Sequence, residues 1–190
     1  MTGKSDVGAA VVLVTGVMAS GKSTVAESLA KRLPRAAHVR GDVFRRMIVS
    51  GREEMRPEPT DEALAQLRLR HRLSAQAADT YAEAGWTAVV QDVVLGPALS
   101  GYVDLIRTRP LYVVVLAPST DAVAARERGR AKTGYGSGWA VAELDRGLRE
   151  DTPRIGLWLD TSALTPEQTV DAVLAGLPEA RIADGPGPKD

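Results

Sequence analysis

Eight consecutive residues, Gly16-Val17-Met18-Ala19-Ser20-Gly21-Lys22-Ser23, match the pattern G-x-x-x-x-G-K-[ST], and Thr24 follows. Glycines at the first and sixth positions allow a tight turn whose backbone N–H groups converge on phosphate oxygens. A helix opening directly behind the turn adds its positive end. In that register Lys22 reaches the β- and γ-phosphates, and the Ser23 hydroxyl helps to hold a Mg²⁺ between them. The chemistry implied is binding of a nucleoside triphosphate, with Gly16, Ala19, Ser20, Gly21, Lys22, Ser23 and Thr24 as the cradle. The chain contains no asparagine, so it cannot supply the Asn-Lys-x-Asp motif that reads guanine. ATP is favoured over GTP, with other ways of reading guanine left open.

Two acids fall at the ends of apolar runs. Asp42 follows Val39-Arg40-Gly41, and Asp92 closes Ala88-Val89-Val90-Gln91. In open parallel sheets the working crevice lies beyond the carboxyl ends of the strands. In-line phosphoryl transfer needs one carboxylate to orient or deprotonate the acceptor hydroxyl and commonly another to hold Mg²⁺. Asp42 is assigned the first role, and Asp92, with Ser23, the second. Each has a plainer alternative: Asp42 could cap a helix beginning at Val43, and Asp92 could bond its own turn.

Arg126, Arg128, Arg130 and Lys132 precede a stretch containing Gly134, Gly136 and Gly138. Planar guanidinium donors stabilise charge on a migrating phosphoryl group, and glycine hinges permit a closing lid. Arg126 and Arg130, four residues apart, would share a helix face; a solvated face is the competing reading. For the acceptor, Phe44, Met47, Ile48, Met55 and Leu67 offer apolar wall, while Arg45, Arg68 and Arg72 could read hydroxyls or an anion. His71 lies on an apolar helical stripe, which suggests a packed histidine before a substrate contact. Phe44, Arg45, Arg68 and His71 form the candidate acceptor set.

These residues need elements to position them. Ala10 to Val14 reads as a strand buried on both faces, and Ser23 to Leu33 as the helix behind the phosphate loop. Further strands are expected at His38–Arg40, Thr87–Val94, Leu111–Ala117 and Ile155–Asp160. Helices are expected at Val43–Val49, from Thr60 or Asp61 to Gly85, near Ala98–Arg107, Thr120–Arg128 and Trp139–Arg149. A last helix opens at Thr165-Pro166-Glu167-Gln168, a reciprocal capping sequence. Strands alternating with helices imply an α/β fold in three layers, a five-stranded parallel sheet flanked by helices.

The 190 residues suit one domain, expected over residues 9–178 with a lid near 126–140 and polar tails at 1–8 and 179–190. Absence of cysteine excludes disulfides, zinc–thiolate sites and a Cys nucleophile. Zero net charge and 4% aromatics disfavour nucleic acid as a partner. The apolar run at Ala9–Ala19 is too short to span a bilayer. A cytoplasmic protein without a membrane partner is expected, its oligomeric state open.

Together, the phosphate loop, Gly41-Asp42-x-Phe44, Gln91-Asp92-Val93-Val94-Leu95-Gly96 and Arg126-Glu127-x-x-Arg130 resemble the chloramphenicol phosphotransferase-like group of small P-loop kinases, from about Val11 to Leu177. The resemblance implies a kinase fold akin to adenylate and gluconate kinases and transfer of the ATP γ-phosphate to a hydroxyl. In some members the acceptor is an antibiotic. It implies Asp42 as base, Lys22 and Ser23 on phosphate and Mg²⁺, and Arg126 and Arg130 as lid donors. Where members can carry Asp-Asp at the third strand end, this chain has Gln91-Asp92. The acceptor is expected to be a small hydroxyl compound. Alternatives are a nucleotide or sugar kinase, a zeta-type toxin kinase, or a nucleotide-binding regulator without transfer.

Overall fold

A computed structural model describes residues 7–128 and 141–183. Five strands form one parallel sheet in the order β2-β3-β1-β4-β5. They are β1 (Ala10–Gly16), β2 (Ala36–Arg40), β3 (Thr87–Gln91), β4 (Leu111–Leu116) and β5 (Leu157–Leu159). The central β1 pairs with β3 through Val12↔Val89 and with β4 through Val12↔Tyr112. All seven of its residues are buried. Layers on both sheet faces leave no solvated side, which is why its sequence is a continuous apolar run.

Alternate residues of β1 feed two cores. Val12 and Val14 pack with Val25 and Leu29 of α1 (Lys22–Arg32) and with Val170 and Val173 of α7 (Pro166–Ala175). Val11 and Leu13 pack with Ala75, Ala78 and Ala82 of α3 (Asp61–Glu83) and with Leu99 and Tyr102 of α4 (Ala98–Leu105). The alanine face of α3 lets a 23-residue helix lie close to the sheet. Its start is capped by Thr60, whose side chain accepts the Ala63 N–H. The expected reciprocal cap of α7 forms between Thr165 and Gln168.

Several boundaries differ from expectation. β3 ends at Gln91 rather than Val94, because the Thr15 hydroxyl takes both the N–H and the C=O of Val94. A side chain thus replaces the ladder there. The second helix, α2 (Gly41–Arg46), starts two residues early and stops three residues short of Val49. After α5 (Thr120–Arg128), α6 (Val141–Arg146) continues into a π-helical turn, Gly147–Asp151. The chain does not leave the domain at residue 178. Leu177–Ala180 forms α8, Ala180 is fully buried, and the Ile182 N–H donates to the Leu111 carbonyl at 2.8 Å. At the other end the Gly8 carbonyl accepts from the Thr87 hydroxyl. The expected lid residues Arg130, Lys132, Gly134, Gly136 and Gly138 lie outside the described residues. Among those described, no helix is long and apolar enough to cross a membrane.

Candidate active site

The phosphate loop leaves β1 through Gly16, whose φ is 145°. A Cβ there would meet the Leu116 carbonyl and stand 2.9 Å from the Ser20 hydroxyl, so only glycine lets the chain turn so close to β4. Ala19 holds φ 58°, a left-handed conformation uncommon outside glycine, and Gly21 holds φ 96° at the entry to α1. Such strain is tolerated where the surrounding structure over-determines the backbone, typically at a functional turn. Lys22 is only 6% exposed, and its Nζ donates to the Val17 carbonyl at 2.6 Å. The buried Ser20 hydroxyl has no hydrogen-bond partner among the described residues. A buried orphan donor beneath an open cradle fits a ligand that brings acceptor oxygens.

Arg126 reaches the loop from α5. Its Nη1 donates to the Ser20 carbonyl at 3.3 Å and its Nη2 to the Thr161 carbonyl at 2.6 Å. One guanidinium therefore joins the phosphate loop to the segment after β5. In that segment the Asp160 carboxylate accepts the Ser162 hydroxyl and N–H, which hold its pKa below the ordinary carboxylate value.

A cavity of about 480 Å³ opens over the loop, within the range of small-molecule sites. Gly21, Lys22, Ser23 and Thr24 form one side of it with Arg126. The facing side comes from Arg40, Asp42 and Arg46 at β2 and α2, Arg70 of α3, Gln91 at the end of β3 and Val93 just beyond it. Asp42 sits in the first turn of α2 and is no cap, since α2 has no side-chain cap bond. Its carboxylate pairs with Arg46 Nη2 at 3.0 Å and with Arg40 Nε at 3.7 Å.

Asp92 directly follows β3. It is fully buried beneath Arg70, not presented to the cavity. Its Oδ2 accepts from Arg70 Nε at 2.8 Å, while Oδ1 faces Arg70 Nη2 and accepts the Val93 N–H at 2.7 Å. Both of its oxygens face Arg70. Gly41 is a consequence of that pair, because a Cβ there would overlap the Asp92 carboxylate. Burial lowers the Arg70 pKa from its ordinary value, and the Asp42 charge opposes that shift.

The structure therefore gathers Lys22, Ser23, Thr24, Asp42 and Arg126 around one cavity, with Gly16 and Ser20 shaping its base. It does not gather the acceptor set. Phe44 packs against the core. Arg45 turns away to the Glu53 carbonyl at 3.1 Å and to Glu54 at 2.8 Å. Arg68 is exposed and lines no part of the cavity. His71 is buried edge-on against Tyr102 at 5.2 Å, and burial, with Arg70 beside it, lowers its pKa to about 4. Arg40, Arg46, Arg70 and Gln91 were the residues that sequence reasoning missed. Arg46 had a legible signal, since it stands four residues after Asp42 where helical ion pairs form.

The residues present fit a triphosphate: positive-φ backbone, a buried lysine, an orphan serine hydroxyl and an anchored arginine. Mg²⁺ commonly keeps waters and takes phosphate oxygens with few protein ligands. Ser23 at the start of α1 fits that pattern. Among the described residues no cluster of three or more histidine or acidic side chains could cage a metal alone.

A phosphate loop after the central strand of a parallel sheet in this order defines a P-loop kinase fold. Residues 11–150 match the AAA domain family (AAA_33), and the chain belongs to that family. Its structure is similar to a sugar kinase from Janibacter sp. HTCC2649 (22% identity, TM-score 0.64, covering 90% of this chain and 95% of that one). A gluconokinase from Sinorhizobium meliloti 1021 is likewise similar (21% identity, TM-score 0.63, 89% and 91% covered). So is the tunicamycin resistance protein of Deinococcus radiodurans (16% identity, TM-score 0.63, 92% and 98% covered). At these identities the likeness is one of fold. A comparison with curated protein sequences gives no match.

Proposed function

We propose that the protein is an ATP-dependent phosphotransferase that moves the γ-phosphate to a hydroxyl of a small molecule. The observation that carries this reading is the Asp42 carboxylate, which lines the same cavity as Lys22, Ser23 and Arg126. Nucleotide binding alone would need the loop but no carboxylate across from it. The acceptor hydroxyl docks beside Asp42, which takes its proton as the oxygen attacks the γ-phosphorus. The bond from that phosphorus to the β–γ bridging oxygen breaks, and ADP leaves with the electron pair. Lys22 and Arg126 donate N–H bonds to phosphoryl oxygens, where the charge redistributes. Magnesium, when bound at Ser23 and the phosphates, neutralises part of that charge.

Membership of the chloramphenicol phosphotransferase-like group is supported by the residues Gly41-Asp42-x-Phe44 and Asp92-Val93-x-Leu95-Gly96. An antibiotic acceptor is supported only by that resemblance and by the fold shared with the tunicamycin resistance protein. The test is a screen of antibiotics, nucleosides and sugars with γ-labelled ATP, read by the mass shift of the acceptor. Asp42→Asn should keep ATP binding and lose about 10²–10⁴-fold in transfer. A wild-type protein that only hydrolyses ATP slowly, with no acceptor phosphorylated, would be a regulator instead. A toxin kinase would arrest growth when expressed alone, and a resistance kinase would raise tolerance to one drug.

A further inference from the structure

The two sides of the cavity do not share the cations evenly, and the phosphate loop already has its own. Lys22 lies over the Val17 carbonyl, and Arg126 is anchored by Ser20 and Thr161. Three more guanidinium groups, from Arg40, Arg46 and Arg70, line the facing side, where Asp42 is the sole carboxylate among the described lining residues. Asp42 answers Arg40 and Arg46 together. Asp92 answers Arg70 from beneath, using Nε and Nη2. Nη1 of Arg70 makes no hydrogen bond among the described residues, and the Arg70 side chain is only 16% exposed. A guanidinium held this rigidly at a cavity wall is pre-organised to bind an anion through its remaining donors. Among the described residues no aromatic ring lines the cavity.

We propose that the acceptor carries an anionic group, a carboxylate or a phosphate ester, beside the hydroxyl that is phosphorylated, and that Arg70 and Arg46 bind that group. This inference rests on the kinase reading above and names its substrate class. Asp92 is then a positioning residue, which aims Arg70, and Gly41 leaves room for it. Gln91, whose buried Oε1 has no partner, can accept from a second hydroxyl of the same compound.

Two matched series test the inference: glucose, gluconate and glucose 6-phosphate, and glycerol, glycerate and glycerol 3-phosphate. Each is titrated calorimetrically into protein saturated with Mg²⁺ and a non-hydrolysable ATP analogue, so that the phosphate loop is filled. At least one anionic member should bind about tenfold or more tighter than its neutral parent, as loss of a charged hydrogen bond implies. The carboxylate and phosphate arms report which anion the wall prefers. The preference should fall toward one in Arg46→Gln, an exposed helix position where folding is not at risk, and in Arg70→Lys, which keeps a cation over Asp92. Equal binding of neutral and anionic members, binding of none of them, or a preference that survives in both variants overturns the inference. Transfer is then measured with γ-labelled ATP. Arginine-dependent anion binding without transfer would sink the kinase reading and keep the anion site. Transfer to neutral members alone would keep the kinase and sink the anion site.

Discussion

The two sides of the cavity are built from different material. The phosphate-loop side is the contiguous run Gly16–Thr24, joined by Arg126 from α5, and its backbone does most of the work, with Gly16 where a side chain would be blocked. The facing side is assembled from side chains on β2, α2, α3 and the end of β3, with Arg70 and Asp92 22 positions apart. The first kind of site is set by local conformation and has few ways to vary. The second is set by packing between elements, so its charges can be changed one at a time while the fold persists. The difference explains how one scaffold can keep a phosphate donor and change acceptors.

The largest expected break is on the facing side. Arg70→Leu strands the Asp92 carboxylate in the core, and removing one partner of a buried pair costs about 3–5 kcal/mol. Urea unfolding should show that loss, and the double variant Arg70→Leu/Asp92→Leu should recover most of it. Recovery would show that the pair is kept for the site rather than for stability. Gly16→Ala attacks the loop side. A Cβ against the Leu116 carbonyl and Ser20 displaces the cradle, and misplacement of that order costs roughly 10²-fold in transfer. An unchanged rate would mean that the loop relaxes around the methyl group.

A smaller effect separates the sides by pH. His71 adjoins Arg70 in sequence, and its pKa near 4 lies below the ordinary 6.5, chiefly through burial. The unfolded chain therefore takes the proton first as pH falls. The stabilisation is complete above about pH 6.5 and is lost on the way down toward 4. Between pH 7.5 and 5 that amounts to about 2 kcal/mol. His71→Leu should lack this component, seen as a shallower fall in unfolding free energy over the same range. An equal fall in both proteins would assign the acid sensitivity to carboxylates elsewhere. The smallest change is expected at Arg68, exposed and away from the cavity. Arg68→Ala should stay within about 0.5 kcal/mol in stability, and an acceptor KM raised tenfold would return Arg68 to the site.

How far each region could be read from sequence follows the same division. β1, the loop and α1 were legible because apolar runs, glycine spacing and helical periodicity are local patterns. The capping of α7 was legible for the same reason, as four residues carry both bonds. The place of Asp42 at the cavity was legible because it follows a strand end, where the crevice of a parallel sheet lies. Arg70 was not, since it lies one position off the apolar stripe of α3 and reads like any solvated arginine. Its neighbour His71 drew attention by residue type, yet the helix turns it into the core against Tyr102. Asp92 was singled out at its strand end, but its pairing was not legible, because the group beside its oxygens arrives from another element.

By itself the amino-acid order determined the phosphate cradle and the strand–helix alternation around it. Both depend on backbone conformation and periodicity within short stretches of chain. Only the tertiary structure decided which of the many arginines face the cavity, that Asp92 serves Arg70, and that Gly41 exists to admit them. Those are through-space relations between charges on separate elements, fixed by how α3 packs on the sheet and by the desolvation that pairs buried ions.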